Sequence, residues 1–140
     1  MKSVLFICTK NSARSQMAEA LVNHDLVGRF NAFSAGTDPS EVHPLAIAVM
    51  KETGIDISNQ RSKGLDEFKD QTFEYVITLC SQADEACPVF FGGTRKLHIG
   101  FPDPAAAAGS EEEKLSAFRK VRDLIRDQVI GFLAKQSATS

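Results

Sequence analysis

At 140 residues, with 43% hydrophobic and 24% charged positions, the chain has the size and composition of one globular domain able to bury its own core. A net charge of −2 argues against nucleic acid or an anionic membrane surface as a partner. The first apolar run is too short for a signal peptide and no later run could span a bilayer, so the expected compartment is the cytoplasm.

Taken in order, the chain alternates strand and helix signals. Lys2–Ile7 predicts a buried strand, and the apolar residues after Arg14 recur at helical spacing to about His24. Arg29–Ser34 leads into Ala35-Gly36-Thr37 as a second strand. Pro44 suits the first position of a helix over Leu45–Glu52, which Gly54 closes. Leu65–Lys69 predicts a single helical turn, Phe73–Leu79 the clearest strand, and Arg95–Ile99 a short fourth strand after the Gly92-Gly93 turn. Phe101–Gly109, with two prolines and a run of alanines, predicts loop. From Glu111 to about Lys135, Leu115, Phe118, Val121, Leu124, Ile125, Val129 and Phe132 form one apolar stripe, and residues 137–140 predict a flexible tail behind a domain over 1–136. Strands alternating with helices predict an α/β fold with a four-stranded parallel sheet and helices on both faces.

The stretch Cys8-Thr9-Lys10-Asn11-Ser12-Ala13-Arg14-Ser15 joins the first strand to the first helix. Backbone N–H groups at a helix N-terminus lack intrahelical partners and carry the positive end of the dipole. Wrapped into a loop, the amides of Thr9 to Arg14 can hold a tetrahedral oxyanion, with the Arg14 guanidinium as a bidentate clamp. The same field stabilises a thiolate, which makes Cys8 the expected nucleophile. Ser15 is placed to give the Cys8 sulfur a hydroxyl hydrogen bond, and Asn11 suits a loop position with a left-handed backbone. In open parallel sheets ligands bind beyond the carboxyl ends of the strands. Cys8, Ser34, Cys80 and Asp103 all fall at or shortly after such ends, and they are expected on one rim.

Cys80 and Cys87 enclose Ser-Gln-Ala-Asp-Glu-Ala. On a helix they would share a face but stand about 10.5 Å apart along the axis. A disulfide needs Cα atoms within about 7 Å. The spacing therefore suits a redox switch that unwinds when oxidised, while chance and metal ligation remain open. No further cysteine completes a usual zinc set and His43 and His98 lack matching spacing, so no metal site is expected. Asp103, between two prolines, reads equally as a turn residue or as a general acid for a leaving oxygen.

Together these residues resemble the thioredoxin-coupled arsenate reductases, which share the low-molecular-weight protein tyrosine phosphatase fold. The resemblance rests on Cys-Thr-x-Asn-Ser-x-Arg-Ser-Gln-Met-Ala-Glu at 8–19, Ser34-Ala35-Gly36, Gly54–Asn59, Thr78-Leu79-Cys80, the Cys80–Cys87 spacing, Asp103-Pro104 and Phe118–Asp123. It implies sheet order 2-1-3-4 and arsenate as substrate, with phosphate or sulfate as analogues. It further implies a relay passing from Cys8 to Cys80 to Cys87, with Asp103 as proton donor. The resemblance implies no bound redox cofactor and thioredoxin as the source of electrons, and no feature of the sequence demands more than a monomer. The sequence departs from that family at three positions. Lys10 stands where glycine is common, Ala13 replaces a frequent fourth cysteine, and Lys63 replaces an aspartate that joins Asn11, Glu19 and Ser34 around potassium in relatives. A lysine there is expected to pair with Glu19 and make activity indifferent to potassium. The alternative enzyme is a low-molecular-weight phosphatase using Cys8, Arg14 and Asp103. Against it, alanines follow Asp103-Pro104 where phosphatases carry tyrosines, and Gln16 stands where they place proline. A non-catalytic oxyanion or redox sensor is the third possibility.

Overall fold

The computed structural model describes residues 2–81 and 93–139. At its centre runs strand β1 (Lys2–Cys8), in which Val4, Leu5, Phe6 and Ile7 are fully buried, as an unbroken apolar run demands of a strand covered on both faces. Strands β2 (Phe30–Gly36) and β3 (Phe73–Thr78) pair with it in parallel on either side. Strand β4 (Gly93–His98) joins the free side of β3, which gives the order 2-1-3-4. Thr94, Arg95 and Lys96 are exposed along this edge, and charge there discourages pairing with another sheet.

Among the described residues four α-helices cover one face: α1 (Arg14–Asp25), α2 (Pro44–Lys51), α3 (Glu111–Ile125) and α4 (Gly131–Thr139). Met17 and Leu21 of α1, Val49 and Met50 of α2, Phe118 and Val121 of α3 and Leu133 of α4 close over Val4, Phe6, Tyr75 and Ile77. Each such side chain removed from water contributes about 1.5–3 kcal/mol. The opposite face carries Leu5, Ile7 and Val76 under the 3₁₀ turn Leu65–Phe68. There the rings of Phe33, Phe68 and Phe73 meet at 5.7–5.9 Å. Helical segments thus lie on both faces, though unequally. Among the described residues no helix is long and apolar enough to cross a membrane.

The helix ends differ in a way that prepares the site. Helix α3 starts in a capping box, Ser110 with Glu113, and has three glutamates in its first turn. Helix α1 has no side-chain cap and no acid in its first turn, so its positive end stays available for a ligand. Two features differ from the sequence expectation. A π-helical segment, Arg126–Ile130, separates α3 from α4. Its wider turn brings Leu133 fully inside and leaves Phe132 only partly covered; Leu115 and Leu124, earlier in α3, are also only partly covered. The helix also continues to Thr139, through residues 137–139 that read as tail. The segment after Ile99 holds a short 3₁₀ turn, Pro104–Ala106, within the predicted loop.

Candidate active site

The loop between β1 and α1 is braced from outside at four consecutive carbonyls. Asp38 N–H donates to Thr9 O at 2.9 Å, and Ser40 N–H and Ser62 Oγ donate to Lys10 O at 3.3 and 2.8 Å. Gln16 Nε2 donates to Asn11 O at 3.1 Å, and His43 N–H donates to Ser12 O at 3.0 Å. Carbonyl and N–H of a trans peptide point opposite ways. Each outward carbonyl therefore turns the following amide toward the inside of the loop, where an oxyanion can be held by several N–H donors at once. Asn11, at φ +49°, is the described non-glycine residue with a left-handed backbone, the conformation expected of it. Gly36, opposite Cys8 in the β1–β2 register, lets β2 end directly against this loop. A Cβ on Gly36 would lie 2.5 Å from Thr9 O.

The Cys8 sulfur, 2% exposed as a residue, lies at the start of the loop and 2.8 Å from Ser15 Oγ. Cys8, Thr9, Lys10, Ser12, Ala13 and Arg14 line one cavity of ≈ 560 Å³, and Asp103 and His43 complete its wall. Arg14 is buried. Its Nη1 donates to Phe101 O at 3.2 Å and its Nη2 lies 3.9 Å from Asp103 Oδ2. Asp103 Oδ1 accepts from Ala105 N–H at 3.0 Å as the cap of the 3₁₀ turn, which leaves Oδ2 toward Arg14 and the cavity. Asp103 is thus a turn residue whose second carboxylate oxygen faces the cavity. His43 caps α2 by accepting Leu45 N–H at Nδ1, and its ring lies 4.7 Å from that of Phe118. Burial pushes the His43 pKa down, against the charges of Asp103 and Glu111.

Behind the loop, Asn11 Nδ2 donates to Ser15 Oγ at 2.7 Å. Ser34 lies two residues inside β2, opposite Phe6, so it does not reach the rim expected for it. Its hydroxyl donates instead to Glu19 Oε1 at 2.8 Å. The same oxygen is 3.5 Å from Lys63 Nζ, whose ammonium also donates to Arg61 O at 2.9 Å. Cys80 follows β3, and Leu79 N–H donates to Ile7 O at 2.8 Å, so the segment carrying Cys80 is fixed to β1 one residue from Cys8. Cys80 is fully buried. Cys87, with the rest of its spacing argument, lies outside the described residues. Sequence reasoning gave no site role to Gly36, His43, Gln60 or Ser62. Their partners lie up to 52 residues away, as in Ser62 with Lys10, and only the polar character of 56–63 hinted at such contacts.

A parallel sheet whose central strand ends in a cysteine, followed by an externally braced amide loop and a buried arginine, is an arrangement that can hold a tetrahedral oxyanion against a sulfur. The chain belongs to the low molecular weight phosphotyrosine protein phosphatase family, whose model matches residues 3–139. It is 43% identical over 131 residues to an arsenate reductase of Halalkalibacterium halodurans, covering 94% of each chain. The fold matches that of an arsenate reductase solved in the phosphate-binding state, with a TM-score of 0.81, 36% identity, and coverage of 96% of this chain and 98% of that one. A thioredoxin-dependent arsenate reductase of Corynebacterium glutamicum matches with a TM-score of 0.67 and 28% identity, over 99% of this chain and 63% of that one.

Proposed function

We propose that this protein reduces arsenate to arsenite through three cysteines regenerated by thioredoxin. The Cys8 thiolate attacks arsenic held between the loop amides and Arg14, and an arsenate oxygen leaves as water with a proton from Asp103. Cys80 then attacks the Cys8 sulfur. The Cys8–Cys80 disulfide forms as the sulfur–arsenic bond breaks, its electron pair stays on arsenic, and As(V) becomes As(III). Cys87 attacks Cys80, releasing the Cys8 thiol and leaving Cys80–Cys87, which the thioredoxin dithiol reduces. Two electrons pass with no resident redox cofactor. Phosphate and sulfate compete for the same loop, the protein acts as a monomer, and the reaction takes place in the cytoplasm.

The observation that carries this reading is the anchoring of Leu79, next to Cys80, on the strand that ends in Cys8, where a loop shaped for a tetrahedral anion begins. The kinship with arsenate reductases supports it, and the Corynebacterium protein supports thioredoxin as reductant. The family match and the cavity shared by Cys8, Arg14 and Asp103 support a weak phosphatase activity as well. The test is arsenate turnover with thioredoxin, thioredoxin reductase and NADPH by the parent and by Cys8→Ser, Cys80→Ser and Cys87→Ser. All three variants should lose repeated turnover, and Cys87→Ser alone should release one equivalent of arsenite and trap Cys8–Cys80. Sustained turnover by Cys87→Ser would overturn the relay. Hydrolysis of an aryl phosphate faster than arsenate reduction would favour the phosphatase alternative.

A further inference from the structure

We propose that Gln16 is a positioning residue for the nucleophile, acting through Asn11 and Ser15 to aim a hydroxyl proton at the Cys8 sulfur. The inference rests on Cys8 being the attacking group and goes beyond it, since Gln16 touches neither the sulfur nor the cavity. Hydrogen-bond bookkeeping fixes the direction of every link. Asn11 Oδ1 lies 2.8 Å from Lys63 N, and a backbone N–H can only donate, so this atom is the amide oxygen. The Asn11 NH₂ therefore faces Ser15 Oγ, at 2.7 Å, and an amide NH₂ can only donate in its turn. Ser15 Oγ is the acceptor there, and its single proton remains for Cys8 Sγ at 2.8 Å. A flipped Asn11 amide would reverse the chain, drawing the serine proton away from the sulfur.

Gln16 opposes that flip from two directions. Its Nε2 lies 2.9 Å from Asn11 Oδ1, the oxygen that must stay where it is, and 3.1 Å from Asn11 O. The second contact holds the left-handed backbone of Asn11, a conformation that disfavours most residues with a Cβ. Gln16 is itself oriented. The two Nε2 hydrogens serve three acceptors, the two Asn11 oxygens and Arg61 O at 2.9 Å, so one of them is shared, and Oε1 accepts from Gln60 Nε2 at 2.7 Å. Gln60 adds a contact to Gln16 O at 3.2 Å. Gln16 is fully buried, so none of these partners is exchanged readily for water. Two glutamines from separate parts of the chain thus join the Lys63 N–H in holding the polarity of a relay that ends on the reacting sulfur.

The experiment reads the thiolate directly. In a Cys80→Ser/Cys87→Ser background, the rate of iodoacetamide alkylation of Cys8, located by peptide mass spectrometry, is followed against pH. Gln16→Met keeps the length of the side chain and removes its donors. Alkylation should slow about five-fold near pH 6 and converge with the parent near pH 9, where the thiolate forms without help. Gln60→Met should shift the profile in the same direction by less, and it keeps the test available if Gln16→Met does not fold. Because Gln16 acts through Ser15, adding Gln16→Met to Ser15→Ala should change nothing further. A Gln16→Met profile that superposes on the parent would overturn the proposal, as would an undiminished effect in the Ser15→Ala background. Alkylation that depends on Gln16 through Ser15 upholds the relay even if the parent fails to turn over arsenate, which would instead strike the proposed function.

Discussion

The Lys63 ammonium lies 3.5 Å from Glu19 Oε1, with 11% and 13% of the two side chains exposed. Ser34 donates to the same oxygen, and the Lys63 N–H holds Asn11. Lys63 therefore ties Glu19 of α1, and Ser34 of β2 through it, to the oxyanion loop, by its ammonium on one side and its backbone N–H on the other. Arsenate turnover should be equal in sodium and potassium salts, and a several-fold rise in potassium would contradict this assignment. Lys63→Met should lower stability by about 3 kcal/mol, measured by denaturant unfolding, because it removes the cation paired with the largely buried Glu19 and leaves it the Ser34 hydroxyl.

Gly36 is required by space. Besides Thr9 O, an added Cβ would stand 2.8 Å from Cys8 O and 2.9 Å from Asn11 N, all backbone atoms of the oxyanion loop. Only displacement of that loop could relieve the clash. Gly36→Ala should lower kcat/KM by about 100-fold or more, since misplacement by an ångström costs that much. A loss of about 2 kcal/mol in stability should accompany it. Near-parent kinetics would show that the loop gives way more easily than its bracing suggests.

The burial that lowers the His43 pKa has a consequence for acid stability. The folded chain binds this proton less readily than the unfolded chain. The contribution of His43 is therefore complete above its ordinary value of 6.5 and is lost as pH falls below it. Protonation at Nδ1 also ends acceptance of the Leu45 N–H that caps α2. His43→Asn keeps a capping acceptor without the titration. Its melting temperature should fall less than the parent's between about pH 7.5 and about pH 5.5. Equal falls would remove His43 as a source of acid sensitivity.

Asp103→Asn separates the capping role of that residue from the proton donation proposed for it. An amide oxygen can still accept the Ala105 N–H, so the 3₁₀ turn should persist and the melting temperature should change little. The proton for the departing oxygen is gone, and arsenate turnover should fall about 100-fold or more. Turnover within a factor of two of the parent would leave Asp103 with the capping role alone.

What the sequence disclosed depended on how local the cause was. The apolar run Val4–Ile7, Pro44 at a helix start and the cysteine-to-arginine loop are short-range signals, and each lies where its pattern indicates. The left-handed Asn11 was legible for the same reason. The π-helical segment was not, because nothing in Arg126–Ile130 breaks helical periodicity. It shows only in the inward turn of Leu133 in place of Phe132. The bracing of the loop by Asp38, Ser40, His43 and Ser62 was equally hidden, since backbone N–H groups and serine hydroxyls leave no compositional trace. Gln16 stood out by its residue type, but its meaning required Gln60 and Arg61, more than forty positions on.

A ring with four successive carbonyls taken from outside has little freedom to tighten around a favoured ion. Arsenate and phosphate, alike in shape and charge, would enter such a gauge on nearly equal terms, and the commoner ion would occupy it most of the time. Discrimination then falls to what happens after entry: sulfur can hand a pair of electrons to arsenic, whereas phosphorus at the same spot refuses them. Under the proposed function, this protein would tell the two elements apart by their redox chemistry, with recognition left deliberately blunt.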